Sequence, residues 1–186
     1  MNHIKIVIVG PMECGKSYLS NFLSEAVEQV TGEYRPTCGV RIIEYEMNLP
    51  VKNKIFKVDV EIWDVSGNKK YESCWPATFK GAHGAVFVYN PDHADHGKEL
   101  DYWHSVLVQN TSLKDGNCCL IGHKRPNKNE REACNLPIAF GKFQQLMGNV
   151  SEEGDKLRES FGKFIAQLFS NKLEVTEQEE LNIINS

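Results

Sequence analysis

The eight residues Gly10-Pro11-Met12-Glu13-Cys14-Gly15-Lys16-Ser17 constrain the chain more than any other stretch. They fit the pattern Gly-x-x-x-x-Gly-Lys-Ser. The run before them, His3 to Val9, is short, apolar and β-branched, as a buried parallel strand is. After them Leu19, Phe22, Leu23, Ala26 and Val27 recur at the spacing of one helical face. A loop between such a strand and such a helix wraps backbone N–H groups and a helix N-terminus around phosphate oxygens. Glu13, Cys14, Gly15, Lys16, Ser17 and Tyr18 are therefore the expected nucleotide contacts. Lys16 reaches the β- and γ-phosphate oxygens, and the Ser17 hydroxyl ligates Mg²⁺. Pro11, Met12 and Glu13 occupy positions that the pattern leaves free, because the loop binds through its backbone. The Glu13 carboxylate is expected to point away from the phosphates, which would repel it.

The rest of the chain supplies the matching architecture. Strand patterns recur at Val40–Met47, Lys57–Trp63, Gly84–Tyr89, Asn117–Ile121 and, more weakly, Phe143–Met147. The polar stretch Asn48–Lys54 reads as the turn between the second and third. Helical patterns cover Lys98–Val108 and Gly154–Phe169, the latter with Leu157, Phe161, Phe164, Ile165, Leu168 and Phe169 on one side. Alternation of this kind predicts an α/β fold, a doubly wound, mostly parallel six-stranded sheet with flanking helices. One domain is expected over residues 1–170, followed by an acidic tail, 171–186, that is loose or docked on a partner. Arg125–Asn135 is polar and has no apolar face, so a helix there is expected to be short or missing.

Composition excludes several functions. A formal charge of −4 over 186 residues lacks the basic footprint that nucleic-acid phosphates require. No apolar run approaches the ~20 residues of a membrane span, and no signal-peptide pattern opens the chain. Six cysteines without a Cys-x-x-Cys pair read as reduced thiols of a cytosolic protein rather than a zinc or disulfide framework.

Two further stretches define the class of phosphate loop. Val60–Gly67 is a strand ending in Asp-x-x-Gly, where Asp64 can hold Mg²⁺ and the Gly67 amide can approach a γ-phosphate. Tyr34-Arg35-Pro36-Thr37-Cys38-Gly39 precedes the second strand, and Thr37 can close over the metal when a γ-phosphate is present. Ser17, Thr37 and Asp64 are thus the candidate metal ligands. Gly67 and Thr37 are candidates for the catalytic set.

At these residues the sequence resembles the Ras-like small GTPases over roughly residues 3 to 170. Within them it is most similar to the Rab-like subunits of the intraflagellar transport B complex, through YRPTCGVRIIEYE and WDVSGNKKYESCWPATFKGAHGAVFVYN. The resemblance implies GTP/GDP and Mg²⁺ as cofactors, a weak GTPase activity, the coiled-coil subunits 74 and 81 of that complex as partners, and a place in the cytoplasm, the cilium or flagellum and its base. The end Ile183-Ile184-Asn185-Ser186 carries no prenylation cysteine, and Met1-Asn2 excludes N-myristoylation. Localisation is therefore expected to run through protein partners.

The chain also departs from that family. Asn68, the third catalytic candidate, stands where ordinary members carry the glutamine that orients the attacking water. Met12 adds bulk at a loop position that is glycine in Ras. Both predict slow hydrolysis, a loss of about 10²-fold or about 3 kcal/mol. Where the family reads guanine with Asn-Lys-x-Asp, this chain has His123-Lys124-Arg125-Pro126. Lys124 can still cover one face of a base with its methylene stem, but Pro126 replaces the aspartate. Gly148 and Asn149 fall where the second base-binding motif belongs. Binding is accordingly expected to be weaker and less selective than usual.

Other features have plainer readings. Asp92, His93, Asp95 and His96 resemble metal ligands by composition but lie where helix caps belong. Cys118 and Cys119 read as core. Trp63 reads as core packing, whereas Trp75 and Phe79 are open to either core packing or a partner surface. Three functions stay open on this reading: a nucleotide switch, a scaffold stabilised by nucleotide, and a kinase. The kinase is the weakest, because Arg125 and Arg131 make a poor lid.

Overall fold

The computed structural model describes residues 2–25, 36–124 and 133–184. Six strands form one sheet in the order β2-β3-β1-β4-β5-β6. They are β1 His3–Val9, β2 Val40–Val51, β3 Lys54–Val65, β4 Gly84–Tyr89, β5 Cys118–His123 and β6 Gln144–Gly148. β2 runs antiparallel to β3; every other pairing is parallel. This is the expected mostly parallel sheet.

Strand parity divides the core in two. Ile4, Ile6 and Ile8 of β1 face one side, and Val7 and Val9 face the other, because successive side chains of a strand alternate. The first side packs against α1 (Lys16–Leu23) and α4 (Val150–Ile184), using Leu19, Leu157, Phe161, Phe164, Ile165 and Leu168. The second packs against α2 (Trp75–Phe79) and α3 (His96–Asn110), using Trp75, Phe79, Leu100, Trp103 and Leu107.

The sequence reading is corrected at several places. The polar Asn48–Lys54 stretch is not a long turn: β2 and β3 continue through it and reverse at Lys52 and Asn53, with φ of 48° and 61°. Two successive residues at positive φ make the turn that matches strand twist, and the alternation of polar residues outside the core hid the strands. Trp75 and Phe79 are each 1% exposed, and the Trp75 ring lies 4.0 Å from that of Trp103. They are core, not a partner surface. Trp63, read as core packing, is partly buried against the same core cluster, with the Lys5 ammonium 3.5 Å over its ring. The segment after Ser170 is helical to Ile184 as the continuation of α4. Arg125, Pro126, Arg131 and the stretch Ala26–Arg35 lie outside the described residues.

Candidate functional site

All the candidate elements meet at the carboxyl ends of the parallel strands, where open α/β sheets bind ligands. β1 delivers the phosphate loop, β3 delivers Asp64 and Gly67, β5 delivers His123 and Lys124, and β6 delivers Gly148. His123 and Gly148 are register partners, and the Lys124 N–H donates to the Gly148 carbonyl at 3.3 Å. Asn149 then caps the start of α4, its Oδ1 accepting from the Ser151 N–H at 2.9 Å.

The loop folds around its own lysine. Lys16 is buried, and its Nζ donates to the carbonyls of Gly10 (3.0 Å) and Pro11 (2.6 Å). Glu13 is exposed at φ 59°, so its carboxylate lies outward as charge repulsion requires. Cys14 is buried against the loop, and burial pushes its thiol up. That makes it a packing residue rather than a nucleophile. Gly15 ends the loop at φ 95°; a Cβ there would sit 2.7 Å from His123 Nδ1. His123 itself is buried against the loop, and the exposed Tyr18 ring lies 5.7 Å from it. His123 therefore packs the end of β5 onto the loop.

The three candidate metal ligands converge. Ser17 Oγ and Thr37 Oγ1 are 2.8 Å apart, and Thr37 Oγ1 donates to Asp64 Oδ2 at 3.3 Å. Asp64 is fully buried. Burial raises its carboxyl above the usual carboxylate range, while the Ser17 hydroxyl, Lys16, Arg41 and Thr37 act in the opposite direction. Among the described residues, Asp64 Oδ1 has no hydrogen-bond partner. Two hydroxyls and a carboxylate with an oxygen to spare are a hard-oxygen donor set, which fits a hard divalent cation. Gly67 lies with its backbone against the loop: a Cβ there would be 2.7 Å from the Met12 nitrogen and 2.8 Å from the Gly10 oxygen.

Asn68 has another employment. Its Oδ1 accepts from the Lys70 N–H at 3.0 Å and so caps the short 3-10 helix Lys69–Cys74. Its side chain is turned toward backbone rather than into the loop.

Arg41 is the residue that sequence reasoning missed. It pairs across the β2–β3 ladder with Asp64, and its Nη2 lies 3.6 Å from Asp64 Oδ2 and donates to the Ser17 carbonyl at 3.1 Å. Only the hairpin register, fixed by the two-residue turn, could have placed it there. The His93–His96 pair is structural instead: the rings stack at 4.1 Å, and His96 Nδ1 accepts from the Asn90 N–H. Cys118 and Cys119 are core, their thiols pushed up to about 12 by burial.

A profile of the family described as "Ras of Complex, Roc, domain of DAPkinase" matches residues 5–125. The zebrafish (Danio rerio) protein named intraflagellar transport protein 22 homolog is 39% identical over 186 residues, spanning 99% of this chain and all of that one. The human (Homo sapiens) protein of the same name is 38% identical over 182 residues, covering 97% of both chains. Among solved structures, a chain of the GTP-bound T. brucei IFT22/74/81 crystal structure superposes with a TM-score of 0.76 at 26% identity, covering 94% of this chain and 99% of that one. Similarity that runs from end to end of both sequences at this identity is a family relationship: this chain belongs to the intraflagellar transport protein 22 family, within the Ras-like small GTPases.

Proposed function

We propose that the protein is a GTP-binding subunit of the intraflagellar transport machinery that hydrolyses GTP slowly and works through the coiled-coil subunits 74 and 81. The observation that carries this reading is the convergence of Ser17, Thr37 and Asp64 beside a buried Lys16. Thr37 can register a γ-phosphate only if it reaches that set. In this reading Glu13, Cys14, Gly15, Lys16, Ser17 and Tyr18 hold the phosphates and sugar. His123, Lys124, Gly148 and Asn149 border the base, and Gly67 contacts the γ-phosphate. Ser17, Thr37 and Asp64 hold Mg²⁺, which neutralises charge on the phosphate oxygens when bound. Residues 1–170 act as the nucleotide domain, and the protein resides in the cytoplasm, at the base of the cilium or flagellum, and within it.

The test is binding of fluorescent GTP and ATP analogues to the wild type and to Lys16→Ala, with pull-down of the 74–81 pair. Preference for GTP, lost in Lys16→Ala, together with capture of the pair supports the reading. Equal binding of ATP, or unchanged binding by Lys16→Ala, overturns it.

The engagement of Asn68 as a helix cap favours a second reading, a nucleotide-stabilised scaffold with negligible turnover. Phosphate release at the buffer rate over hours, with GTP bound, selects the scaffold.

A further inference from the structure

We propose that Arg41 is a positioning residue of the metal-ligand set: a fixed counter-charge that keeps Ser17, Thr37 and Asp64 assembled and competes with a divalent cation for the Asp64 carboxylate. The proposal rests on the nucleotide reading above and deepens it. A single guanidinium nitrogen joins three elements. Arg41 Nη2 on β2 lies 3.6 Å from Asp64 Oδ2 on β3 and donates to the Ser17 carbonyl in the first turn of α1 at 3.1 Å. The same carboxylate oxygen accepts from Thr37 Oγ1 at 3.3 Å, and the Thr37 and Ser17 hydroxyls are 2.8 Å apart. The ring Arg41–Asp64–Thr37–Ser17 thus holds together with the charge of a side chain. Lys16, the other cation at the site, has its Nζ bonded to the Gly10 and Pro11 carbonyls and acts on Asp64 only through space.

Burial makes this pairing consequential. Asp64 is fully buried, so a positive charge beside it is poorly screened. A divalent cation held by Ser17, Thr37 and Asp64 would share the Asp64 carboxylate with a guanidinium that cannot lose its proton, and the two cations would repel. Arg41 therefore lowers the site's affinity for the metal while sparing the ligands from scattering without it.

The experiment is a titration of free Mg²⁺ against the release rate of mant-GDP from the full chain. Wild type, Arg41→Gln and Arg41→Lys are compared, with melting temperatures recorded alongside. Arg41→Gln is expected to reach half-maximal slowing of release at about tenfold lower Mg²⁺, from relief of cation–cation repulsion. In EDTA it is expected to release mant-GDP faster than wild type. Arg41→Lys, which keeps the charge, is expected to titrate near wild type. An unshifted or raised midpoint in Arg41→Gln overturns the proposal, as does a release rate changed by one factor at every Mg²⁺ concentration, which is what a merely structural role gives. A wild type that retains no mant-GDP at saturating Mg²⁺ overturns the nucleotide reading, and this proposal with it. A wild type that retains it beside an unshifted variant overturns this proposal alone.

Discussion

Replacing Gly15 by alanine probes whether the phosphate loop and the end of β5 are packed as one unit. The substitution meets two separate costs. At φ 95° a Cβ is strained by about 1–2 kcal/mol whatever surrounds it. The new carbon would also lie 2.7 Å from His123 Nδ1 and 3.2 Å from its Cε1. That imidazole is 5% exposed and cannot swing away freely, so overpacking adds about 1–3 kcal/mol. A total of about 3 kcal/mol in a chain of this size lowers the melting temperature by about 6–12 °C. The two costs separate in a double-mutant cycle with His123→Ala, because removing the ring removes the clash and leaves the backbone strain. The coupling between the substitutions is therefore expected to be about 1–2 kcal/mol, well outside the about 0.5 kcal/mol scatter of independent sites. Denaturant unfolding of wild type, Gly15→Ala, His123→Ala and the double variant measures it. Additivity across the four proteins would refute the reasoning, even if Gly15→Ala alone were destabilising.

Trp75→Ala is expected to cost about 3–5 kcal/mol, because the ring is buried against Trp103; a loss under about 1 kcal/mol in a urea titration contradicts its place in the core. Burial holds His83 down at about 4, with the charges of Lys172 and His3 adding to it, against an ordinary value of 6.5. Its folded-state value lies below its unfolded one, so its contribution is fully present above pH 6.5 and is lost as pH falls toward about 4. His83→Gln should flatten the stability–pH curve across that window, and an unchanged slope counts against the assignment. Asn68→Gln is expected to raise single-turnover GTP hydrolysis by about tenfold or more by extending an amide toward the water, while losing the helix cap that Asn68 Oδ1 supplies; equal rates would show that the shorter side chain is not what limits turnover.

Much of this was legible because backbone motifs are local. The loop, its strand and its helix follow from one short stretch, since glycine spacing and hydrophobic period are written in consecutive residues. Thr37 and Asp64 could be grouped with Ser17 because their order along the chain matches a known constellation, and the three side chains do meet. What escaped were the consequences of cross-strand register. Arg41 sits opposite Asp64 only because β2 and β3 reverse at Lys52 and Asn53, and a polar turn read as longer gives no register at all. Trp75 gave no sign of its burial either, because α2 is a single turn between polar stretches and its cover, Trp103, lies far along the chain. Asn68 could be read as a shortened glutamine, but its capping bond depends on the 3-10 helix that follows.

The continuation of α4 gives the molecule a mechanical axis. The helix starts beside Asn149, breaks helical geometry at Glu153 and then runs along one face of the sheet. It is strapped at the opposite pole by Lys172 Nζ donating to the His3 carbonyl and by Lys52, at the hairpin tip, pairing with Glu174 and Glu177. Seven residues, about 10 Å at 1.5 Å each, continue from Glu177 to Ile184, with Leu181 and Ile183 exposed. A load hung on that end pulls on a helix whose buried face, Leu157 to Phe169, is packed into the core on one side of the sheet. A pull on the tip is therefore taken up by the Lys172 and Lys52 contacts and by the packed helix face before it reaches the break at Glu153, where the backbone leaves helical geometry at φ −126° and ψ 22°.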